Sequence, residues 1–468
     1  MPTARSRMSE AALLAPGDLG APFAVVAGTG PRPRLRSRRD FIADASALAE
    51  RLPTSGAMLN LSLDRYRFAV GLGAALLRGH TSLLPPNHLA DTVARLRARF
   101  AGVYALREPG AEDHALPSVE HAPGYADASR VDRVPAIDPE LVAAHVLTSG
   151  STGDPVPHAK PWGLLVRNAR AEAARLAAAL GAAQGTDLAG ATLVATVPPQ
   201  HMYGFESSVL LALHGGATLA AGRPFFPADI AAELARADAP RVLVTTPFHL
   251  KTVLDAGVSL PPLALVVCAT APLSPQLAAR AEQDFGAPLV EIYGCTEAGQ
   301  VATRRTTAGP EWRTFDGVQV AGDGDAVTVS GGHVPQPTLL ADVLEVTGAT
   351  TFRLHGRSSD LINVAGKRSS IGHLNFHLNS IEGVVDGAFW MPGEASADAH
   401  GIVRLVAFVV APQIAREHIL AALRERVDAA FLPRRIVHVD ALPRETTGKL
   451  RADRMAALAA RHRIGGQR

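Results

Sequence analysis

The stretch Leu141-Val142-Ala143-Ala144-His145-Val146-Leu147, followed at once by Thr148-Ser149-Gly150-Ser151-Thr152-Gly153, decides how this chain is read. A mostly apolar run, a strand or the end of a helix, feeds a loop of four hydroxyls and two glycines. Glycine frees the backbone, and every hydroxyl and amide can donate, so the loop suits phosphate oxygens. By composition alone it is also an ordinary Ser/Thr/Gly surface turn. It is not a Walker loop, because Gly150 lacks the x4-Gly-Lys-Ser/Thr continuation, and a P-loop kinase is excluded on spacing.

Outward from this stretch the chain alternates strand-like and helix-like sequence. Residues 57–61 and 81–84 are short apolar runs, while 66–77 and 89–100 have helical spacing. After a loop-like region at 107–138, the spacing predicts a helix over 164–180. Strands are predicted at 191–197, 217–220, 241–245, 263–268 and 288–292. Such alternation implies an α/β fold with mostly parallel sheets and helices on their faces. Between 311 and 355 the texture becomes β-like with Gly and Asp turns, as at 326–330, 343–346 and 351–354. A compact β/α region follows, with strands at 403–410 and 435–439 and helices at 418–431 and 454–461. We expect a large domain over 1–357 and a small one over 358–468.

Composition narrows the function. The 468 residues carry 46 Lys+Arg against 44 Asp+Glu, a net charge of +2, and 47% are hydrophobic. This is a globular composition without the basic field that nucleic acid or an anionic membrane would need. No uncharged apolar run approaches the roughly 18 residues of a membrane span, and no secretory peptide is evident. Cys268 and Cys295 are the only cysteines, too few for a disulfide framework or a Cys-rich metal site, which points to a reducing cytoplasm. Only Lys160, Lys251, Lys367 and Lys449 are lysines, so arginine has displaced lysine almost everywhere. A surviving lysine marks a place where a compact charge on a flexible stem suits better than a planar fork.

Three further constellations carry chemistry. Glu291-Ile292-Tyr293-Gly294-Cys295-Thr296-Glu297 leaves the end of a predicted strand, where α/β sheets put their ligands. Its ring can stack, its hydroxyl can hold a phosphate and its carboxylate can hold Mg²⁺, although the same residues read as a plain strand exit. Asp342 precedes Gly356-Arg357-Ser358-Ser359-Asp360. Near the C-terminus lies Pro443-Arg444-Glu445-Thr446-Thr447-Gly448-Lys449.

Taken in order, these elements resemble the adenylate-forming superfamily of acyl- and aryl-CoA synthetases, luciferases and peptide-synthetase adenylation domains, over about residues 140–455. The resemblance implies that Thr148, Ser149, Gly150, Ser151, Thr152 and Gly153 embrace the ATP phosphates. It implies adenine stacking on Tyr293 beside Gly294, α-phosphate contact by Thr296 and Mg²⁺ ligation by Glu297. Asp342 falls on the ribose-binding aspartate, fourteen positions before the Gly-Arg element, and Arg357 on the arginine near ribose and phosphate. Lys449 falls on the lysine that bridges carboxylate and α-phosphate during adenylation. In Pro198-Pro199-Gln200-His201-Met202-Tyr203-Gly204, His201 would face the carboxylate; read by itself it is equally a loop or core histidine. Ser359 and Asp360 fall on the hinge of a mobile C-terminal domain.

The pattern departs from the family at three places. Val156 follows Pro155 where a lysine is usual, Ser359 stands where the hinge acid is usual, and His373-Leu374-Asn375 replaces Glu-x-Glu. The reaction implied is ATP-dependent activation of an aryl or fatty acid to an acyl-adenylate, then transfer to the phosphopantetheine thiol of CoA or of an acyl carrier protein. The 197–213 and 158–163 segments resemble adenylating ligases beside aryl polyene or fatty acid type biosynthetic machinery, which implies an aryl or medium-chain acid loaded on an acyl carrier protein. A catabolic acyl-CoA synthetase and a degenerate nucleotide-binding scaffold are the rivals.

Overall fold

The computed structural model describes residues 12–27, 33–111, 114–121, 124–149, 155–181, 188–324, 326–357, 361–364, 367–392, 404–444 and 450–464. Two large sheets dominate. The first has six strands in the order Ser118–Glu120, Val103–Arg107, Ala57–Asn60, Thr81–Leu84, Val142–Ser149 and Pro155–Pro161. All neighbours are parallel except the last pair, a hairpin whose register sets Thr148 opposite Val156 and Ala144 opposite Lys160. The helix Arg65–Arg78 starts where the Asp64 carboxylate accepts from the Arg67 amide and stops at Gly79, whose φ of +70° suits a residue without Cβ. The region expected to be loop over 107–138 contributes the short edge strand Ser118–Glu120, and Val103–Arg107 is a strand that periodicity did not mark.

The second sheet has eleven strands. Pro22–Val26, Thr218–Ala220, Thr192–Ala195, Arg241–Thr245, Leu265–Cys268 and Leu289–Cys295 are its parallel run. Leu193, Val194, Val242, Val244, Leu265, Val266 and Val267 are all fully buried, as strands covered by helices on both faces must be. Beyond Leu289–Cys295 the sheet turns antiparallel through Gly299–Arg304, Glu311–Thr314, Thr351–Arg357 and Asp342–Gly348, and Arg34–Ser37 closes the opposite edge. The expectation of mostly parallel sheets holds for the first sheet, except its last hairpin, and for the run Pro22–Val26 to Leu289–Cys295 of the second. Where the connection is a tight turn the strands reverse.

Arg65 joins the two halves. Although charged, it is fully buried, and its guanidinium donates to Ser208 Oγ at 2.8 Å and to the carbonyls of Ala195 and Val197 at 2.9 Å. Burial lowers its pKa to about 10. A planar fork with several donors reaches, from a helix of the first sheet, three acceptors at the end of the strand Thr192–Ala195 and on the helical segment that follows it.

The C-terminal part carries the hairpin Leu361–Val364 with Lys367–Ser370, and a sheet of Asp386–Trp390, Val406–Val410 and Arg435–His438. The helices are Ile371–Asn379, Arg416–Arg424 and Ala452–Arg461; the helix expected over 418–431 ends at Arg424 and gives way to the single turn Ala429–Phe431. Among the described residues no helix is long and apolar enough to cross a membrane.

Candidate active site

Leu289–Cys295 lies in the interior of the eleven-stranded sheet and returns as Gly299–Arg304. The expected strand end at Ile292 is three residues too early: Tyr293, Gly294 and Cys295 remain in the strand. Their pairing is bulged, with Tyr293 opposite Ala302 and Gly294 opposite Gln300. A Cβ on Gly294 would stand 2.5 Å from the Gly299 carbonyl oxygen, and Gly299 itself has φ +80°. Two glycines thus let the hairpin close tightly and project Thr296 and Glu297 from its tip. The Glu297 side chain is 48% exposed.

Tyr293 points into the sheet's aromatic cluster. Its ring centroid is 5.7 Å from that of Trp312 and 5.6 Å from that of Phe352, and Trp312 is stacked at 7° to Phe352. The hydroxyl donates to Asp342 Oδ2 at 2.6 Å, so residues 49 positions apart share one short charge-assisted hydrogen bond. Asp342 opens the strand that pairs with Thr351–Arg357, directly opposite Arg357. Hairpin register is therefore what underlies the fourteen-residue spacing to Gly356. Glu291, at the buried beginning of the motif, accepts from Arg304 Nε at 2.7 Å, Thr306 Oγ1 at 2.9 Å and the Leu273 amide at 3.3 Å. Those bonds make it part of the scaffold.

The other wall is the hairpin that ends at the phosphate-loop sequence. Thr148 and Ser149 finish the strand Val142–Ser149, while Gly150, Ser151, Thr152 and Gly153 lie outside the described residues. Val156, where a lysine is usual, is exposed. Two and four residues further on, the strand touches Glu297. His158 Nε2 is 3.7 Å from its Oε1, and Lys160 Nζ donates to its backbone carbonyl at 3.2 Å. Burial pulls both His158 and Lys160 below their usual pKa; Glu297 opposes this at His158, and Glu206 is the leading opposing charge at Lys160. Glu206 is itself buried and pushed up by that burial, and Asn168 Nδ2 donates to its Oε1. Glu172 on the neighbouring helix Trp162–Ala179 is pushed up to about 7 by burial. The polar group beneath the turn was not found by motif reading; the scarcity of lysine was the available signal.

His201 caps the one-turn helix Met202–Gly204, which continues into the π-helical segment Phe205–Leu210. A Cβ on Gly204 would lie 2.1 Å from the Pro198 carbonyl oxygen, so glycine is required for the turn that presents His201. Tyr203 Oη donates to the Val267 carbonyl at 3.0 Å and ties the segment to the sheet. The side chain of Arg357, and Ser359, Asp360 and Lys449 entirely, lie outside the described residues; Arg444 and Leu450, flanking the last of these, form an antiparallel bridge. Burial pushes the Cys295 thiol up to about 12 and Cys268 well above its ordinary value, which disfavours a thiolate at either.

Residues 68–339 match the family model described as AMP-binding enzyme. The chain is 32% identical over 320 residues to a 4-coumarate–CoA ligase of Rhodobacter capsulatus, covering 67% of this chain and 76% of that protein. It is 29% identical over 381 residues to a 4-coumarate–CoA ligase of Halorhodospira halophila, covering 77% and 87%. Among solved structures, ATP-bound MatB from Rhodopseudomonas palustris superposes with a TM-score of 0.75 at 17% identity, over 94% of this chain and 97% of that one.

Proposed function

We propose, for a chain that belongs to the AMP-binding enzyme family and is an ATP-dependent, AMP-forming acid–thiol ligase, that its acid is an aryl carboxylic acid and its acceptor CoA. The curated relatives named as 4-coumarate–CoA and indoleacetate–CoA ligases support both choices. An acyl carrier protein presents the same phosphopantetheine thiol, and is the second acceptor to try. Burial holds both cysteine thiols protonated, which agrees with an acceptor that brings its own sulfur, and two unpaired cysteines agree with a cytoplasmic setting.

The observation that carries the reading is the 2.6 Å bond from Tyr293 to Asp342, with Glu297 exposed at the end of the same hairpin. Tyr293 would wall the adenine and hold Asp342 for the ribose hydroxyls. Thr296 would donate to the α-phosphate, and Thr148, Ser149, Gly150, Ser151, Thr152 and Gly153 would wrap the β- and γ-phosphates. A half-exposed carboxylate beside a hydroxyl fits Mg²⁺, which takes one or two carboxylates and otherwise water and phosphate. When bound, the ion would neutralise charge on the phosphates.

His201 would orient the acid so that its carboxylate attacks the α-phosphorus in line. Lys449 and Arg357 would disperse the charge that develops as the new P–O bond forms and pyrophosphate leaves. The thiol then attacks the acyl carbon and AMP departs. In this reading residues 1–357 bind acid and ATP, and 358–468 move about Ser359 and Asp360 to bring Lys449 in for the first step only. Acid-dependent ATP–pyrophosphate exchange across aryl and aliphatic acids, followed by thioester assays with CoA and with carrier protein, tests it. Exchange with aryl acids and thioester on CoA are expected; exclusive use of aliphatic acids or of carrier protein would overturn the choice.

A further inference from the structure

The strand Pro155–Pro161 touches Glu297 twice. Residues two apart on a strand project from the same face, so His158 and Lys160 form a pair aimed at one target. His158 meets the carboxylate of Glu297 at 3.7 Å, and Lys160 meets its carbonyl at 3.2 Å. One contact reaches the tip of the side chain and the other the backbone from which it springs. Together they span the residue, and they do so from the first sheet while Glu297 belongs to the second.

We propose that His158 and Lys160 are positioning residues that clamp Glu297, fixing the Thr296–Glu297 turn against the phosphate-loop hairpin. The proposal rests on the reading of Glu297 as the carboxylate that serves Mg·ATP. Lys160 is four residues beyond Val156, roughly 13 Å along a strand at about 3.3 Å per residue, so it does not stand in for the missing loop lysine at the mouth. It works from below. Its ammonium donates to the Glu297 carbonyl, and Glu206 on the segment Phe205–Leu210, held by Asn168, is the leading group that opposes the lowering of its pKa by burial. Arginine replaces lysine at almost every other basic position, yet here a slim stem threads a site that is only 9% exposed. His158 Nε2 lies 3.7 Å from Glu297 Oε1, beyond direct hydrogen-bond reach, and the Cys295 thiol hydrogen-bonds the same carboxylate, so these neighbours orient the side chain.

Three variants test the clamp: Lys160→Met, His158→Ala and Glu297→Gln. Two readouts avoid turnover. Hydrogen exchange of the amides of residues 296–299 in the nucleotide-free enzyme should quicken in Lys160→Met, with 289–292 unchanged. Calorimetric titration of ATP at several Mg²⁺ concentrations, without acid, should show Mg²⁺-dependent affinity reduced about 10–100-fold in Lys160→Met and less in the half-exposed His158→Ala, the range typical of outer-shell partners. His158→Ala keeps the question open to refutation should Lys160→Met not fold. If Glu297→Gln shifts the Mg²⁺ dependence while neither clamp variant does, the clamp is wrong and the reading of Glu297 stands. If Glu297→Gln itself leaves that dependence unchanged, the reading falls and takes the clamp with it.

Discussion

The two large sheets reach the same site by different means. In the six-stranded sheet the chemistry is contiguous: the phosphate-loop sequence, Val156, His158 and Lys160 all belong to one hairpin. In the eleven-stranded sheet it is assembled by register. Tyr293 and Asp342 stand on strands with Gly299–Arg304, Glu311–Thr314 and Thr351–Arg357 between them in the sheet order, yet the tyrosine hydroxyl donates to the carboxylate at 2.6 Å. A contiguous element can be read as a motif, whereas an assembled one depends on every intervening strand keeping its pairing. The second sheet should therefore be the more sensitive to single substitutions in nucleotide binding; of the two cations assigned to the developing charge, Arg357 ends one of its strands while Lys449 belongs to the C-terminal part.

That last point gives the largest expected effect. Lys449→Ala should lower acid-dependent pyrophosphate exchange by about 10²–10³, the loss typical of a contact made to developing charge. Thioester formation from a supplied acyl-adenylate should survive, because the lysine is needed only while the α-phosphate is attacked. Near wild-type exchange in this variant would transfer the role to a residue of the sheets.

Next comes the assembled pair. A hydrogen bond to a charged group contributes about 1.5–3 kcal/mol, so Asp342→Ala should raise KM for ATP roughly 10–100-fold. Tyr293→Phe keeps the ring against Trp312 and Phe352 but lets Asp342 turn, and should cost nearer the lower figure. If the two variants together are no worse than Asp342→Ala alone, the tyrosine acts through the aspartate; additive losses in this double-mutant cycle would mean that each meets the nucleotide independently.

Glu297→Gln should act less on KM for ATP at saturating metal than on the metal titration itself. Glutamine retains the shape and one oxygen but loses the charge, so the Mg²⁺ needed for half-maximal exchange should rise, by about tenfold on the scale of 1.4 kcal/mol. An unchanged titration would remove Glu297 from the metal's surroundings.

How much of this was visible in the chain follows the same division. Apolar runs at 57–61, 81–84, 191–197 and 241–245 read as strands because each is buried on both faces, and periodicity does report burial. Tyr293 and Asp342 were singled out by their resemblance to family motifs, and the structure sets the two in hydrogen-bond contact. Arg65 and Glu206 were not singled out. Their roles arise where one sheet docks on the other, and nothing local distinguishes a helix-initial arginine that ends buried among carbonyls from one in solvent. Lys160 was half visible, marked by rarity but without a target until Glu297 was placed beside it. The antiparallel extension after Cys295 escaped because the bulge at Gly294 lets a strand run on through residues that look like a loop.

The smallest expected effect concerns the junction between the second sheet and the C-terminal part. Thr351–Arg357 pairs with Asp342–Gly348, so the last strand before the junction is held on the side of the nucleotide. Gly356, at φ +123°, passes so close to Ser370 that a Cβ would stand 2.5 Å from its hydroxyl oxygen; a larger residue there would disturb both sides at once. Ser359 lies just beyond, where the family resemblance sets the hinge. Proline fixes φ near −65° and restricts the residue before it, and hinges work by absorbing changes in φ and ψ. Ser359→Pro should therefore favour one arrangement of the C-terminal part. Pyrophosphate exchange should remain within a few-fold of wild type while thioester formation falls by about tenfold, a barrier change of about 1.4 kcal/mol. The two half-reactions must be assayed separately, exchange with acid and ATP alone and transfer from supplied acyl-adenylate with CoA. Equal loss in both would indicate damage to the fold near Gly356, and no loss in either would move the hinge away from Ser359, leaving the contrast between the two sheets untouched.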